Sequence, residues 1–350
     1  MGARKSGASR LKRPFDGGAL PPVVFHLDVS REHGWGHFGE CMTLADAFRA
    51  RGIDTGFVLP TGVGSAEDRL RQGRYPFFAI PGSRWLKDSA QGLQDLFSAI
   101  RGRYVIADLI RLTPRYAARA TRCVAALAVI TEHREQELGD INFNICRFPK
   151  YMPIDAEFRG GTRRIPAHAE RVLINYGGSD AKNCSGLTLE MLRQGFEREE
   201  LPRTLVLTVV CGPLFPHRAA LEALKQSYPV RLEVIGPLAP KQFARIARAS
   251  DMAITTGGDT MYEFCATGLP SLVVPVLDKM AANAEVLARR RAIVQLPRID
   301  AVTARSLVGH VQQLLKPAVR RRLARDARRT VDGAGAERIV ARLIREWRLS

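Results

Sequence analysis

Short apolar runs rich in β-branched and aromatic residues alternate along this chain with stretches whose apolar positions recur at helical spacing. One series of runs falls at 23–29, 56–59, 77–80, 104–108 and 126–130. A second falls at 172–176, 205–211, 231–235, 252–255, 272–276 and 293–296. Strands that alternate in this way with amphipathic segments predict a parallel sheet covered by helices on both faces. Between the two series, residues 147–170 carry Pro149, Pro153, Gly160, Gly161 and Pro166 without a clear period, which is the composition of a connection between domains. The expected organisation is an α/β protein with two doubly wound, Rossmann-like domains facing each other across a cleft. A basic, disordered tail is expected at 1–21, a first domain at 22–155, a linker at 156–170 and a second domain at 171–350. The length of 350 residues agrees, because it exceeds what one ordinary core supports.

Composition narrows this picture. No apolar run approaches the roughly 20 residues that span a bilayer, and residues 1–13 are basic and polar without the apolar centre of a secretory signal. A cytoplasmic protein is expected. Its six cysteines (Cys41, Cys123, Cys146, Cys184, Cys211 and Cys265) are scattered and lack C-x-x-C spacing, so they read as buried reduced thiols. The formal charge of +18 comes chiefly from arginine, concentrated at 320–329 with a smaller group at 4–13. A field of that sign favours anionic partners such as nucleotide sugars, acidic membrane surfaces and nucleic acid. Zinc spacing, an aromatic RNA-binding signature and a basic helix leading into heptads are all missing, so nucleic acid is not an expected partner. The 320–329 cluster reads first as a solvated helix face and second as a weak contact for anionic lipid. The oligomeric state is left open.

Three strand-to-helix turns carry the candidate chemistry. The first strand leads into Gly34-Trp35-Gly36-His37 and then into a helix with Cys41, Leu44, Ala45 and Phe48 on one side. A histidine is thereby placed at the carboxyl end of a strand, the edge where open parallel sheets bind ligands. Glycines there let the backbone turn sharply, and the helix start offers N–H groups to an anion. In the second half, Gly177-Gly178-Ser179-Asp180 opens a helix through Asn183. Thr255-Thr256-Gly257-Gly258-Asp259-Thr260 opens another, with Glu263 one turn further in. A carboxylate at that place can accept hydrogen bonds from two ribose hydroxyls while the helix start faces a diphosphate. Each pattern taken singly also fits a tight turn with an incidental histidine or a plain helix cap. Taken together they favour a phosphate site.

At these residues the chain resembles the UDP-sugar hydrolases of pseudaminic acid biosynthesis and the related spore-coat polysaccharide proteins. The likeness is carried by His26-Leu27-Asp28-Val29-Ser30, Gly34-Trp35-Gly36-His37, Cys41-Met42-Thr43-Leu44-Ala45, residues 104–108, Gly177-Gly178-Ser179-Asp180 with Asn183, residues 257–263, Gly268-Leu269-Pro270, and residues 332–338. Glu263 and Gly268-Leu269-Pro270 are shared with glycosyltransferases of the lipid II type. The resemblance implies a glycosyltransferase-B (GT-B) fold, with UDP held mainly by the second domain and the sugar facing the first. It also implies a hydrolysis in surface-polysaccharide or nonulosonic-acid-type sugar biosynthesis, in which His37 assists water and no metal or other cofactor is required. Imidazole suits that role through its ordinary pKa near 6.5.

By the same resemblance, Asp28 orients His37 or binds a sugar group, with a plain cap as the alternative. Substrate contacts are expected from Gly34, Gly36, Gly177, Gly178, Ser179, Asp180, Asn183, Gly257, Gly258, Asp259, Thr260, Glu263 and Asn283. The chain departs from the family at His26, His33 and Glu40, and Asp278-Lys279 stands where an Asn-Gln pair is common. Asp259 replaces a small neutral residue where an anion repels diphosphate, so it is expected to point away or to contact a sugar hydroxyl. The alternative function is a glycosyltransferase that passes the sugar to a lipid, protein or small molecule. Trp85-Leu86 or Leu93-Leu96-Phe97 would then supply an apolar patch, although these residues also fit a core. A non-catalytic nucleotide-sugar-binding protein is a third reading, disfavoured by the retained His37.

Overall fold

The computed structural model describes residues 21–29, 36–60, 64–80, 96–98, 100–109, 112–131, 137–161 and 163–349. Gly34, Trp35, Trp85, Leu86, Leu93 and the tail at 1–20 lie outside these residues. In the first half, β1 (Val23–Leu27), β2 (Thr55–Pro60), β3 (Phe77–Ile80), β4 (Tyr104–Asp108), β5 (Ala126–Thr131) and β6 (Ile141–Asn144) form one sheet. Its spatial order is β3-β2-β1-β4-β5-β6. In the second half, β7 (Arg171–Asn175), β8 (Val206–Val210), β9 (Leu232–Ile235), β10 (Met252–Thr255), β11 (Ser271–Val273) and β12 (Val294–Gln295) form another, in the order β12-β11-β10-β7-β8-β9. Every neighbouring pair is parallel.

Each sheet reverses its strand order once, and that reversal positions the site. In the first sheet β2 and β3 run to one side of β1 while β4, β5 and β6 run to the other. In the second, β8 and β9 lie on one side of β7 and β10, β11 and β12 on the other. At such a switch point the loops leaving the two central strands bend apart and open a crevice beyond their carboxyl ends. Leu27 pairs with Asp108 at that edge of the first sheet, and Asn175 with Thr255 at that edge of the second.

The sheets are buried on both faces, as parallel sheets require. Val23, Phe25 and Leu27 join Phe38, Cys41, Leu44 and Phe48 of the helix Gly36–Arg49, while Val24 joins Val58, Val105, Leu96 and Phe97 in a cluster on the other face. Each fully buried large side chain of this kind contributes on the order of 1.5–3 kcal/mol. Leu96 and Phe97 are 4% exposed each and so belong to the core, not to a surface patch. All six cysteines are free thiols, five of them buried.

Three features differ from the sequence reading. The strand β6 was not expected, because Ile141-Asn142-Phe143-Asn144 is half polar. The last helix, Gly335–Trp347, does not stay with the second domain. Its stripe of Ala336, Ile339, Val340, Leu343 and Trp347 enters the same core as Phe25, and the Trp347 ring stacks on Tyr104 of β4 at 5.1 Å. The expected boundary at 171–350 therefore misplaces this helix, which crosses back to the first sheet.

The segment 156–170 is fastened down by arginines. Arg163 donates to the Ala247, Ser250 and Thr267 carbonyls at the ends of two second-domain helices, and Arg320 donates to the Pro166 and Ala167 carbonyls. Arg320 is thus buried, whereas Arg321, Arg322, Arg325 and Arg329 are exposed, so the solvated face begins one residue later than expected.

Candidate functional site

The crevice of the first domain is built around one hydrogen bond. His37 is the second residue of the helix Gly36–Arg49, and Asp108 ends β4. Their approach follows from the pairing of β1 with β4, which carries the start of that helix to the end of the neighbouring strand. Nδ1 of His37 lies 2.6 Å from Oδ1 of Asp108, and the Cys41 thiol donates weakly to Oδ2 at 3.7 Å. Asp108 is 2% exposed. A carboxylate can only accept, so Nδ1 carries the proton and Nε2 is the ring's other nitrogen for chemistry. The charge of Asp108 raises the His37 pKa to about 10 against the opposing effect of burial, with the Asp108 hydrogen bond and the charges of Glu40 and Asp259 adding to the rise. At pH 7 the neutral ring is then about one molecule in a thousand.

The carboxylate on Nδ1 of His37 is thus Asp108, which the sequence reading did not single out. The backbone N–H of Asp28 donates to the Asp108 carbonyl at 3.3 Å, which continues the β1–β4 ladder to the crevice edge. The charge of Asp28 acts on Tyr116, whose hydroxyl lies 2.5 Å from Nδ1 of the buried His26. Donor atoms of His37, Glu40 and Asp108 stand within 4.8 Å of one another. The short bond between two of the three makes the group a hydrogen-bonded dyad with a nearby carboxylate.

The crevice of the second domain is made of three loops. After β7, Gly177-Gly178-Ser179 turns with Ser179 exposed. Asp180 is buried and accepts from the Cys184 and Ser185 N–H groups at 2.7 and 2.9 Å, and Asn183 accepts from Gly186 N–H at 3.3 Å. Both therefore cap the helix Cys184–Glu197. The N–H groups that would hold an anion at that helix start already serve the protein's own carboxylate. After β10, the helix Asp259–Thr267 follows Gly258, an N-cap residue with no side chain of its own to cap it. A Cβ at Gly257 would fall 2.2 Å from the Met280 carbonyl, so only glycine lets this turn lie against the helix Asp278–Arg289. Asn283 is buried on that helix, one turn beyond Met280.

Glu263 stands one turn inside the helix Asp259–Thr267, and Thr260 is half-buried at its start. Burial, followed by the charges of Asp259 and Asp155, raises the Glu263 pKa to about 8. At neutral pH this carboxyl holds its proton and can donate as well as accept a hydrogen bond. Asp259, expected to point away from a diphosphate or toward a sugar hydroxyl, reaches the other domain. A Cβ at Gly36 would lie 2.2 Å from its Oδ2. The two crevices thus face each other, with His37 on one side and the start of the helix Asp259–Thr267 on the other. The structure brings His37, Gly36, Asp259 and Glu263 together and adds Asp108, which the sequence reading quoted only within a strand. Its position at a strand end beside β1 was the one available signal.

No family model matches the chain. It is 24% identical over 203 residues to the spore coat polysaccharide biosynthesis protein SpsG of Bacillus subtilis, a match covering 57% of this chain and 58% of that protein. The chain therefore matches little more than half the length of this relative. Among solved structures, the Staphylococcus aureus MnaA–UDP complex superposes with a TM-score of 0.64 at 13% identity, covering 94% of this chain and 97% of that one. The calicheamicin glycosyltransferase CalG4 gives 0.63 at 14% identity, covering 94% and 98%. MurG of Acinetobacter baumannii gives 0.61 at 16% identity, covering 93% and 100%. The fold is the two-domain GT-B architecture that these proteins share.

Proposed function

We propose that the protein processes a nucleotide sugar, with the nucleotide on the second domain and the bond-breaking chemistry at His37. The observation that carries this reading is the His37–Asp108 dyad facing the start of the helix Asp259–Thr267. In the first instance the reaction is hydrolysis of a UDP-sugar. Water attacks the anomeric carbon, its proton passes to Nε2 of a neutral His37, and the bond from that carbon to the diphosphate oxygen breaks, releasing UDP and free sugar. The Nδ1–H bond to Asp108 fixes the ring and stabilises the imidazolium as it forms.

Asp180 occupies the start of the helix Cys184–Glu197, and the diphosphate is assigned to the start of the helix Asp259–Thr267, after Gly257-Gly258. Gly36, Gly177, Gly178, Ser179 and Gly257 line the approach. Glu263 contacts ribose, and Asn283 supports the nucleotide side. The resemblance to the UDP-sugar hydrolases and the partial match to SpsG support this reading.

A second reading follows from the shared fold, since CalG4 is a glycosyltransferase. The same dyad would then deprotonate an acceptor hydroxyl in place of water. Incubating the protein with a panel of UDP-sugars and no acceptor separates the two. Release of UDP in step with free sugar is expected. UDP release that begins only on adding an acceptor would move the assignment to a transferase, and failure of every UDP-sugar to bind would end the nucleotide-sugar reading.

A further inference from the structure

Among the described residues three carboxylates act on His37, and they are not mechanically equivalent. Asp108 comes from the end of β4 and Glu40 from one turn along the same helix, so both travel with His37 as parts of the first domain. Asp259 comes from the second domain. It is the first residue of its helix, and its Oδ2 lies where the Cβ of any residue but glycine at position 36 would be. Its carboxylate thus crosses the cleft to the first residue of the helix that carries His37. On its own side Asp259 is backed by Glu263, whose pKa it helps to raise, with Asp155 beyond.

We propose that Asp259 is a positioning residue acting on His37 across the cleft, so that the protonation of this imidazole depends on how closely the two domains meet. The proposal rests on the reading of His37 as the base. An opposite charge at contact favours the imidazolium, and one withdrawn beyond a Debye length of about 8 Å at physiological salt no longer does. Domain separation therefore frees neutral His37, and domain closure holds it charged. The rise of the His37 pKa in this closed arrangement includes a contribution from Asp259 in that direction. The bare Cα of Gly36 is what admits the carboxylate. Its φ lies outside the positive region, so its backbone accepts alanine.

The test uses the full chain and follows the imidazole resonances of His37 and His26 by NMR from pH 5 to 11 in the wild type, Asp259→Asn and Gly36→Ala. Asp259→Asn removes the charge. Gly36→Ala keeps it but pushes the carboxylate off the helix start. Both variants are expected to lower the His37 midpoint by about 1 pH unit, the low end for one opposite charge nearby. His26 serves as a control that stays in place, and the alkaline limb of UDP release shifts with His37. An unmoved His37 midpoint in Asp259→Asn overturns the proposal. So does a midpoint that moves in Asp259→Asn but not in Gly36→Ala, because the effect would then be a field without the cross-cleft contact. The midpoints need no substrate, so a failure of the nucleotide-sugar reading shows separately, as absent UDP release.

Discussion

The interior of the first sheet and the rim of its crevice each hold a histidine, and the two are driven in opposite directions. His26, in the middle of β1, is 2% exposed, and burial lowers its pKa to about 3. Its Nδ1 partner is the neutral hydroxyl of Tyr116. His37, one loop later, is also largely enclosed, yet the charge of Asp108 raises its pKa to about 10. Desolvation acts on both rings. The outcome is decided by whether a carboxylate comes with it. The sheet interior excludes one, whereas the switch point supplies one from the adjacent strand end.

The largest effect is expected from abolishing that difference. Asp108→Asn leaves burial opposed only by the charges of Glu40 and Asp259, so the His37 midpoint falls from its raised value toward the ordinary one. The ring is then more often neutral at pH 7 but loses the group that holds it and stabilises its charged form. UDP release is expected to fall by roughly two to four orders of magnitude, the usual contribution of positioned acid–base catalysis. His37→Asn gives a loss of similar size and removes the pH dependence. In the wild type, turnover rises with pH toward about 10, because only the neutral ring takes a proton from water. A plateau already at pH 7 would contradict the raised value.

Stability sharpens the comparison further, because the two rings act on opposite limbs of the pH curve. His37 has a folded-state pKa above its unfolded value near 6.5. Its contribution is fully present below pH 6.5 and is lost as pH rises toward about 10. His26 has a folded-state pKa below its unfolded value. The unfolded chain then binds more protons between about pH 3 and 6.5, and stability falls on acidification through that window. Melting curves are expected to show His37→Asn flattening the alkaline limb and His26→Gln flattening the acid one. The slope removed in each case is at most about 1.4 kcal/mol per pH unit. Equal loss on both limbs in either variant would mean that packing, not protonation, dominates at that position.

Much of this architecture was legible in the residues themselves. The alternation of strands and helices predicts both sheets, and the turns at Gly36-His37 and Gly257-Gly258 fall at the two switch points. What escaped was the part decided by long-range neighbours. Asp108 acquires its role because β4 lies beside β1, a pairing that nothing local to residues 104–108 encodes. At Asp180 and Asn183 a helix cap and a phosphate loop draw on the same residue types, and only the bonds to Cys184, Ser185 and Gly186 reveal the caps. The last helix has a clear apolar stripe, but periodicity names the buried face and not the sheet that buries it. The approach of Asp259 to Gly36 in the other domain is likewise a long-range contact that no local pattern encodes.

The smallest effect concerns Glu263, the counterpart of His37 in the opposite crevice. Here burial and neighbouring carboxylates act in the same direction, raising the pKa to about 8, so the group is a neutral acid at pH 7. If it hydrogen-bonds ribose in that form, Glu263→Ala weakens UDP binding by roughly 1–3 kcal/mol, the cost of leaving a buried polar partner unsatisfied. Glu263→Gln keeps a neutral donor and acceptor of the same shape and costs less. Wild-type affinity is expected to decline as pH rises through 8, because ionisation removes the donor and places a charge beside the diphosphate. Glu263→Gln has no proton to lose and holds its affinity across that range. Calorimetric titration with UDP at pH 6.5 and 9 for these three proteins measures both expectations. An alanine variant that binds as tightly as the wild type at both values would remove Glu263 from the site.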